Sequence, residues 1–85
     1  MDDSAIHDRI EALEQEERKL RIDEAAVGER DAAALAVDRD RLAVIKVELD
    51  RLWDLLRQRK ALRRAGEDPE RASLRDADTV ERYLN

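Results

Sequence analysis

Cysteine is absent from the chain. Disulfides, thiolate metal sites and cysteine nucleophiles are therefore excluded. Phenylalanine is absent too, and the aromatic residues are one tryptophan, Trp53, and one tyrosine, Tyr83. A core must then be built from aliphatic side chains, several of them alanines that bury little area. Glycine occurs twice, at Gly28 and Gly66, and proline once, at Pro69. So few breakers leave room for long, uninterrupted elements. No apolar run approaches the ~18 residues of a membrane span. Residues 1–20 are acidic and periodic and do not read as a secretory signal. The expectation is a cytoplasmic protein with no membrane association.

What is present is charge. Asp, Glu, Lys and Arg make up 46% of the 85 residues, with a net charge of −5. Such a composition suits either a disordered chain or long helices bathed in solvent. Periodicity selects the helices. A single domain of this size buries a modest fraction of its surface, so an isolated monomer is marginal. The charge is also unevenly spread. Residues 1–31 hold eleven acids against five bases, whereas residues 57–64 hold five bases and no acid.

Ser4 is placed to cap a first helix, with Asp2, Asp3 and Asp8 near the positive end of its dipole. Ile6, Ile10, Leu13, Leu20 and Val27 recur at helical spacing along one stripe, which Glu17 interrupts. The pattern predicts a helix over about 5–26. Gly28 breaks it, and Asp31 caps a second helix that runs over 31–65 to Gly66. Leu35, Leu42, Leu49 and Leu56 lie seven apart, with Ile45 and Leu52 interleaved, in the pattern of a heptad seam. Folding the two helices antiparallel about residues 28–30 sets Ile6 level with Leu52 and Leu13 with Ile45. Ile10 then lies near Leu49, Leu20 near Val37, and Glu17 near Arg41.

Helix 2 carries more apolar surface than one seam needs. Val37, Val44, Leu55 and Leu62 form a second stripe, and Trp53 stands on the other flank. After Gly66, a helix-ending residue, Asp68 caps a new turn with Pro69 at its first position. A short turn of helix then leads towards Leu74. Asp78-Thr79-Val80-Glu81 reads as a capping box opening a last helix over about 79–84. The fold class is thus all-α. A coiled-coil-like antiparallel hairpin (1–66) carries a short helical tail (67–85), and the excess apolar arc predicts homodimerisation into a four-helix bundle. The expected helix–helix or partner interface comprises Val37, Val44, Leu49, Leu52, Trp53, Leu55, Leu56, Leu62 and Tyr83.

The segment Val47-Glu48-Leu49-Asp50, followed by Trp53-Asp54-Leu55-Leu56-Arg57-Gln58-Arg59-Lys60-Ala61-Leu62-Arg63, resembles a small actinobacterial family of uncharacterised helical proteins. The resemblance extends to Ala65-Gly66-Glu67-Asp68-Pro69, to the closing Val80-Glu81 and Tyr83-Leu84, and to the opening Met1-Asp2-Asp3, Ile6, Arg9-Ile10 and Glu16-Glu17. Residues 25–37 are the least similar. It implies a short helical fold and assigns no activity, cofactor or site residue.

Catalytic chemistry finds little to work with. His7 is the only histidine. It shares a face with Glu11 and Glu14, but helix 2 offers no histidine opposite them for a bundle metal site. Ser4, Ser73 and Thr79 lack a base, and there is no Gly-rich phosphate loop. The expectation is a non-enzymatic protein with no cofactor and no metal, acting through helix packing. The block Arg57, Arg59, Lys60, Arg63 and Arg64 has three readings. It can pair with acids of its own fold, dock an acidic protein partner, or bind nucleic acid or another anionic ligand. Against the last stand the surrounding acids and the lack of interleaved aromatics. Trp53 reads as a buried contact between helices or subunits, or as a partner-binding anchor.

Overall fold

The structure, a computed structural model, describes residues 1–25 and 32–84, with side chains described for 1–22 and 32–82. Two long helices, α1 (Asp3–Ala25) and α2 (Ala32–Arg64), are followed by one 3₁₀ turn (Pro69–Arg71) and a short helix, α3 (Ala77–Leu84). The expected break at Gly28 and cap at Asp31 lie outside the described residues.

The described caps have chemical causes. α1 starts earlier than expected because Asp2, not Ser4, is its cap. Its Oδ1 accepts from the Ala5 amide at 2.8 Å and its carbonyl from the Ile6 amide at 3.1 Å. A carboxylate at that position satisfies an orphan N–H and also faces the positive end of the dipole. α2 ends in a Schellman turn. The Glu67 amide donates to the Leu62 carbonyl at 2.8 Å and the Gly66 amide to the Arg63 carbonyl at 3.1 Å. Gly66 sits at φ 75°, where a Cβ would be strained. Asp68 caps the 3₁₀ turn through the Glu70 amide, at 2.9 Å. That turn stops at Arg71 rather than reaching Leu74, since Ala72 is already extended. α3 is capped by Asp76, two residues before the expected Asp78. The Asp76 Oδ1 accepts from the Thr79 amide at 2.8 Å, which holds its carboxyl below the usual range.

α1 and α2 pack antiparallel. Arg9 meets Glu48 at 3.0 Å, and Arg41 grips both oxygens of Glu16, at 2.6 and 2.8 Å. Glu16 therefore replaces Glu17 as the partner expected for Arg41, while Glu17 pairs within α1 with Arg21 at 3.7 Å. Ile6, Ile10, Leu13, Ile45, Leu52 and Leu55 form the core, with Leu20, Leu49, Leu56 and Ala72 half-buried around it. The expected leucine heptad is not the centre of this seam. The buried positions on α2 are Asp38, Ile45, Leu52, Asp54, Leu55 and Arg59; of these Asp38, Ile45, Leu52 and Arg59 lie seven apart, and Leu49 and Leu56 lie about 40° to one side. The tail explains the rotation. By covering one flank of α2 it moves the centre of burial towards itself and takes in Leu55.

That tail runs back along α2. Gln58 Nε2 donates to the Ser73 carbonyl and Arg51 Nε to the Arg75 carbonyl, both at 2.8 Å. Arg75 forks onto Asp54, donating from Nε at 2.8 Å to Oδ2 and from Nη2 to Oδ1. Asp54 is 1% exposed, and Arg75 holds its carboxyl well below the usual carboxylate range. Val80 is buried where α3 meets α2. The 33-residue α2 is about 50 Å long and makes the molecule elongated, 55 × 25 × 16 Å. Its radius of gyration is 16.1 Å, against about 12 Å for a compact chain of this length.

Arg75→Leu leaves the Asp54 carboxylate buried without its main partner. It is expected to destabilise the fold by about 3 kcal/mol in a urea titration followed by far-ultraviolet circular dichroism. Adding Asp54→Leu should recover more than half of the loss. An equal loss in the single and double variants would place the cause elsewhere.

Candidate functional site

The basic block on α2 divides by face, and its two halves meet different fates. Arg59 continues the buried series Ile45 and Leu52 by one heptad, so its guanidinium enters the core edge, 5% exposed. A charge taken out of water needs partners. Arg59 Nε donates to Asp3 Oδ1 at 2.6 Å. Its Nη1 donates to Glu70 Oε1 at 3.0 Å and to the Pro69 carbonyl at 3.3 Å. Arg63, one turn on, reaches Asp3 from the same side at 2.7 Å. Hydrogen bonds from Arg63 and Arg59 lower the Asp3 carboxyl from 3.8 to about 2. Arg57, Lys60 and Arg64 occupy the other face, are exposed, and form no ion pair among the described residues.

An open groove of about 690 Å³ runs between α1 and α2 on that side. Trp53 and Leu56 form its apolar floor, Arg57, Lys60 and Arg63 line one wall, and Asp3 and His7 line the other. The His7 ring stands edge-on to Trp53, with centroids 6.1 Å apart and planes at 78°. Trp53 remains 44% exposed, an unusual state for the only tryptophan of a small protein. Sequence reading overlooked Asp3 and His7 as members of this site. The signal for Asp3 was the heptad itself: a base at position 59 of the seam requires an acid opposite.

The other expected interface residues separate in the same way. Leu52 and Leu55 lie in the core of the chain, Leu49 and Leu56 are half-buried against it, and Leu62 is partly covered. Val37 and Val44 are 66% and 49% exposed. The side chain of Tyr83 lies outside the described residues. A shallow dip of about 390 Å³, lined by Ala43, Val44, Val47, Glu48 and Arg51, opens beside the tail-covered part of α2.

No group of three or more His, Asp or Glu side chains is gathered for a metal ion among the described residues. Every buried side-chain N and O described has a hydrogen-bond partner. No described helix is long and apolar enough to cross a membrane. Engagement of Arg59 and Arg63 within the fold leaves three bases of the block for a polyanion, which weakens the nucleic-acid reading.

Residues 2–85 match the family described as "Protein of unknown function (DUF2630)", and the chain belongs to that family. Uncharacterised proteins of Mycobacterium bovis and Mycobacterium tuberculosis are 54% identical over 46 residues, which is 54% of this chain and 53% of theirs. The chain thus spans about half the length of the curated relatives it matches. No solved structure matches it.

The lowered Asp3 carboxyl ties stability to pH. Its folded value lies below its ordinary 3.8, so the stabilisation it brings is complete above that value and is lost as pH falls through about 2. Glu16 and Asp54 are depressed as well and add to the same acid limb. The wild-type melting temperature should fall across this window. Asp3→Asn should melt lower near neutrality and lose less on acidification. Parallel pH profiles for the two proteins would exclude Asp3 as a contributor.

Proposed function

We propose that this family member is a non-enzymatic interaction module that self-associates by packing α2 of one copy against α2 of a second. One observation carries the reading. The stripe Val37, Val44, Leu55 and Leu62 runs straight along α2, and the described residues of the chain's own tail cover only its C-terminal half. Leu55 is 5% exposed, whereas Val44 and Val37, towards the hairpin turn, are 49% and 66% exposed.

Physical arguments favour a second copy as the cover. The tail shows how the stripe is normally satisfied, by an apposed segment bonded to Arg51 and Gln58. From Arg51 towards the hairpin turn a dip lined by Ala43, Val44 and Val47 opens, and Val44 and Val37 stay exposed. Small and β-branched side chains let a second helix approach closely. Two-fold symmetry then buries the same stripe twice in one contact. At roughly 25 cal/mol per Å² of apolar area, closing such a contact adds appreciably to a marginal fold.

Light scattering at micromolar concentration is expected to give about 20 kDa, twice the 9.9 kDa chain mass. Val44→Asp should return the chain mass while keeping the helical circular dichroism. A wild type that stays at 9.9 kDa throughout the micromolar range would remove self-association from the reading.

A further inference from the structure

On the opposite side of α2 lies a surface of different chemistry. Nine residues separate Val44 from Trp53, which at 100° per residue is about half a turn around the helix. Trp53, Arg57, Lys60 and Arg64 fall within about 60° of one another on that side. We propose that the groove between α1 and α2 docks an acidic helical segment of a second protein. An apolar side chain of that segment rests on Trp53 and Leu56, and its carboxylates meet Arg57 and Lys60.

Charge complementarity selects this occupant. The chain as a whole carries −5, yet residues 57–64 contain no acid. The fold spends Arg59 and Arg63 on Asp3 and Glu70 and turns Arg57 and Lys60 into the groove. Among the described residues lining the groove the one carboxylate is that of Asp3, already held by two guanidiniums. The free charge there is therefore positive, beside a half-exposed tryptophan. Trp and Arg together are the commonest binding hot spots, and acids of the partner would supply orientation and association rate.

The molecule contains its own precedent. On the far flank, the acidic run Glu67-Asp68-Pro69-Glu70 folds back onto α2, delivers a carboxylate to Arg59, and is followed by Ala72 against the core. An acid and an apolar residue from one returning segment satisfy that flank. The Trp53 flank offers bases and an apolar floor with no segment of the described chain to take them. A polynucleotide is the weaker occupant, because three exposed bases offer few phosphate contacts and a single tryptophan gives successive bases little to stack on.

A displayed random-peptide library selected on the full-length protein, with counter-selection on Arg57→Glu plus Lys60→Glu, tests this. Both substituted side chains are exposed, so the variant should keep the wild-type circular dichroism and mass. The selected peptides should combine Asp or Glu with Leu, Ile or Phe at helical spacing. Because Trp53 is the only tryptophan, its emission should move to shorter wavelength on binding a tryptophan-free selected peptide. The Kd should weaken at least tenfold in the double variant, in Trp53→Ala by anisotropy of a labelled peptide, and in high salt.

Peptides without acids, binding unchanged in the double variant, or no selected peptide at all would overturn the proposal. A single-stranded oligonucleotide that moves Trp53 emission at lower concentration than the selected peptide would overturn it in favour of nucleic acid. Loss of self-association in the double variant would overturn it in favour of a second copy. Val44→Asp should leave peptide binding intact, which separates this site from the dimer contact.

Discussion

A guanidinium withdrawn from water has to be met on several sides at once, and Arg59 is met by three groups from two parts of the chain. Asp3 arrives from the start of α1, and Glu70 and the Pro69 carbonyl from the 3₁₀ turn. Burial of that one side chain sets where α1 begins relative to α2 and where the tail turns back. Without it the charged start of α1 would have no fixed place, and the tail would lose its first anchor. The hydrogen bond to Asp3 keeps Arg59 charged despite its desolvation. The cluster is thus a three-way clamp whose cost is met by its geometry.

Once the clamp is in place, the distribution of the remaining contacts follows. Along the buried heptad of α2 the residues are Asp38, Ile45, Leu52 and Arg59, so the seam is apolar in the middle and charged at its ends. The aliphatic middle supplies the burial, while the polar ends fix the register. A sliding helix pair would separate Arg59 from Asp3 and Arg41 from Glu16 together. Small aliphatic cores specify alignment poorly, and charged positions correct that defect.

Helical periodicity made the hairpin legible in the sequence, and the stop at Gly66 and the cap at Asp68 belong to the same pattern; the Arg9–Glu48 pair fits the antiparallel register but was not itself expected. Within the expected heptad seam the interleaved Ile45 and Leu52 are the buried members, while Leu49 and Leu56 are half-buried. Ile45 and Leu52 occupy its centre, and the tail draws the buried arc towards Leu55. The caps at Asp2 and Asp76 were displaced by two residues for a shared reason. Aspartates recur at 2, 3, 76 and 78, and local sequence does not say which carboxylate the backbone will use. The groove was half legible. Trp53, Arg57 and Lys60 were visible as a face, but His7 and Asp3 join it only through the crossing of α1, a long-range fact.

The circumference of α2 is shared among surfaces of different chemistry. α1 occupies one arc and the tail a second, and the two remaining arcs have opposite character, valine and alanine on one side, tryptophan and bases on the other. An apolar arc is satisfied by an identical arc, which makes it suited to a symmetric copy. A cationic arc repels its own copy, so two such faces do not meet across a two-fold axis unless something acidic intervenes. The same helix can hold two molecules of one kind together on one side and accept a different, acidic one on the other, with neither contact obstructing its counterpart.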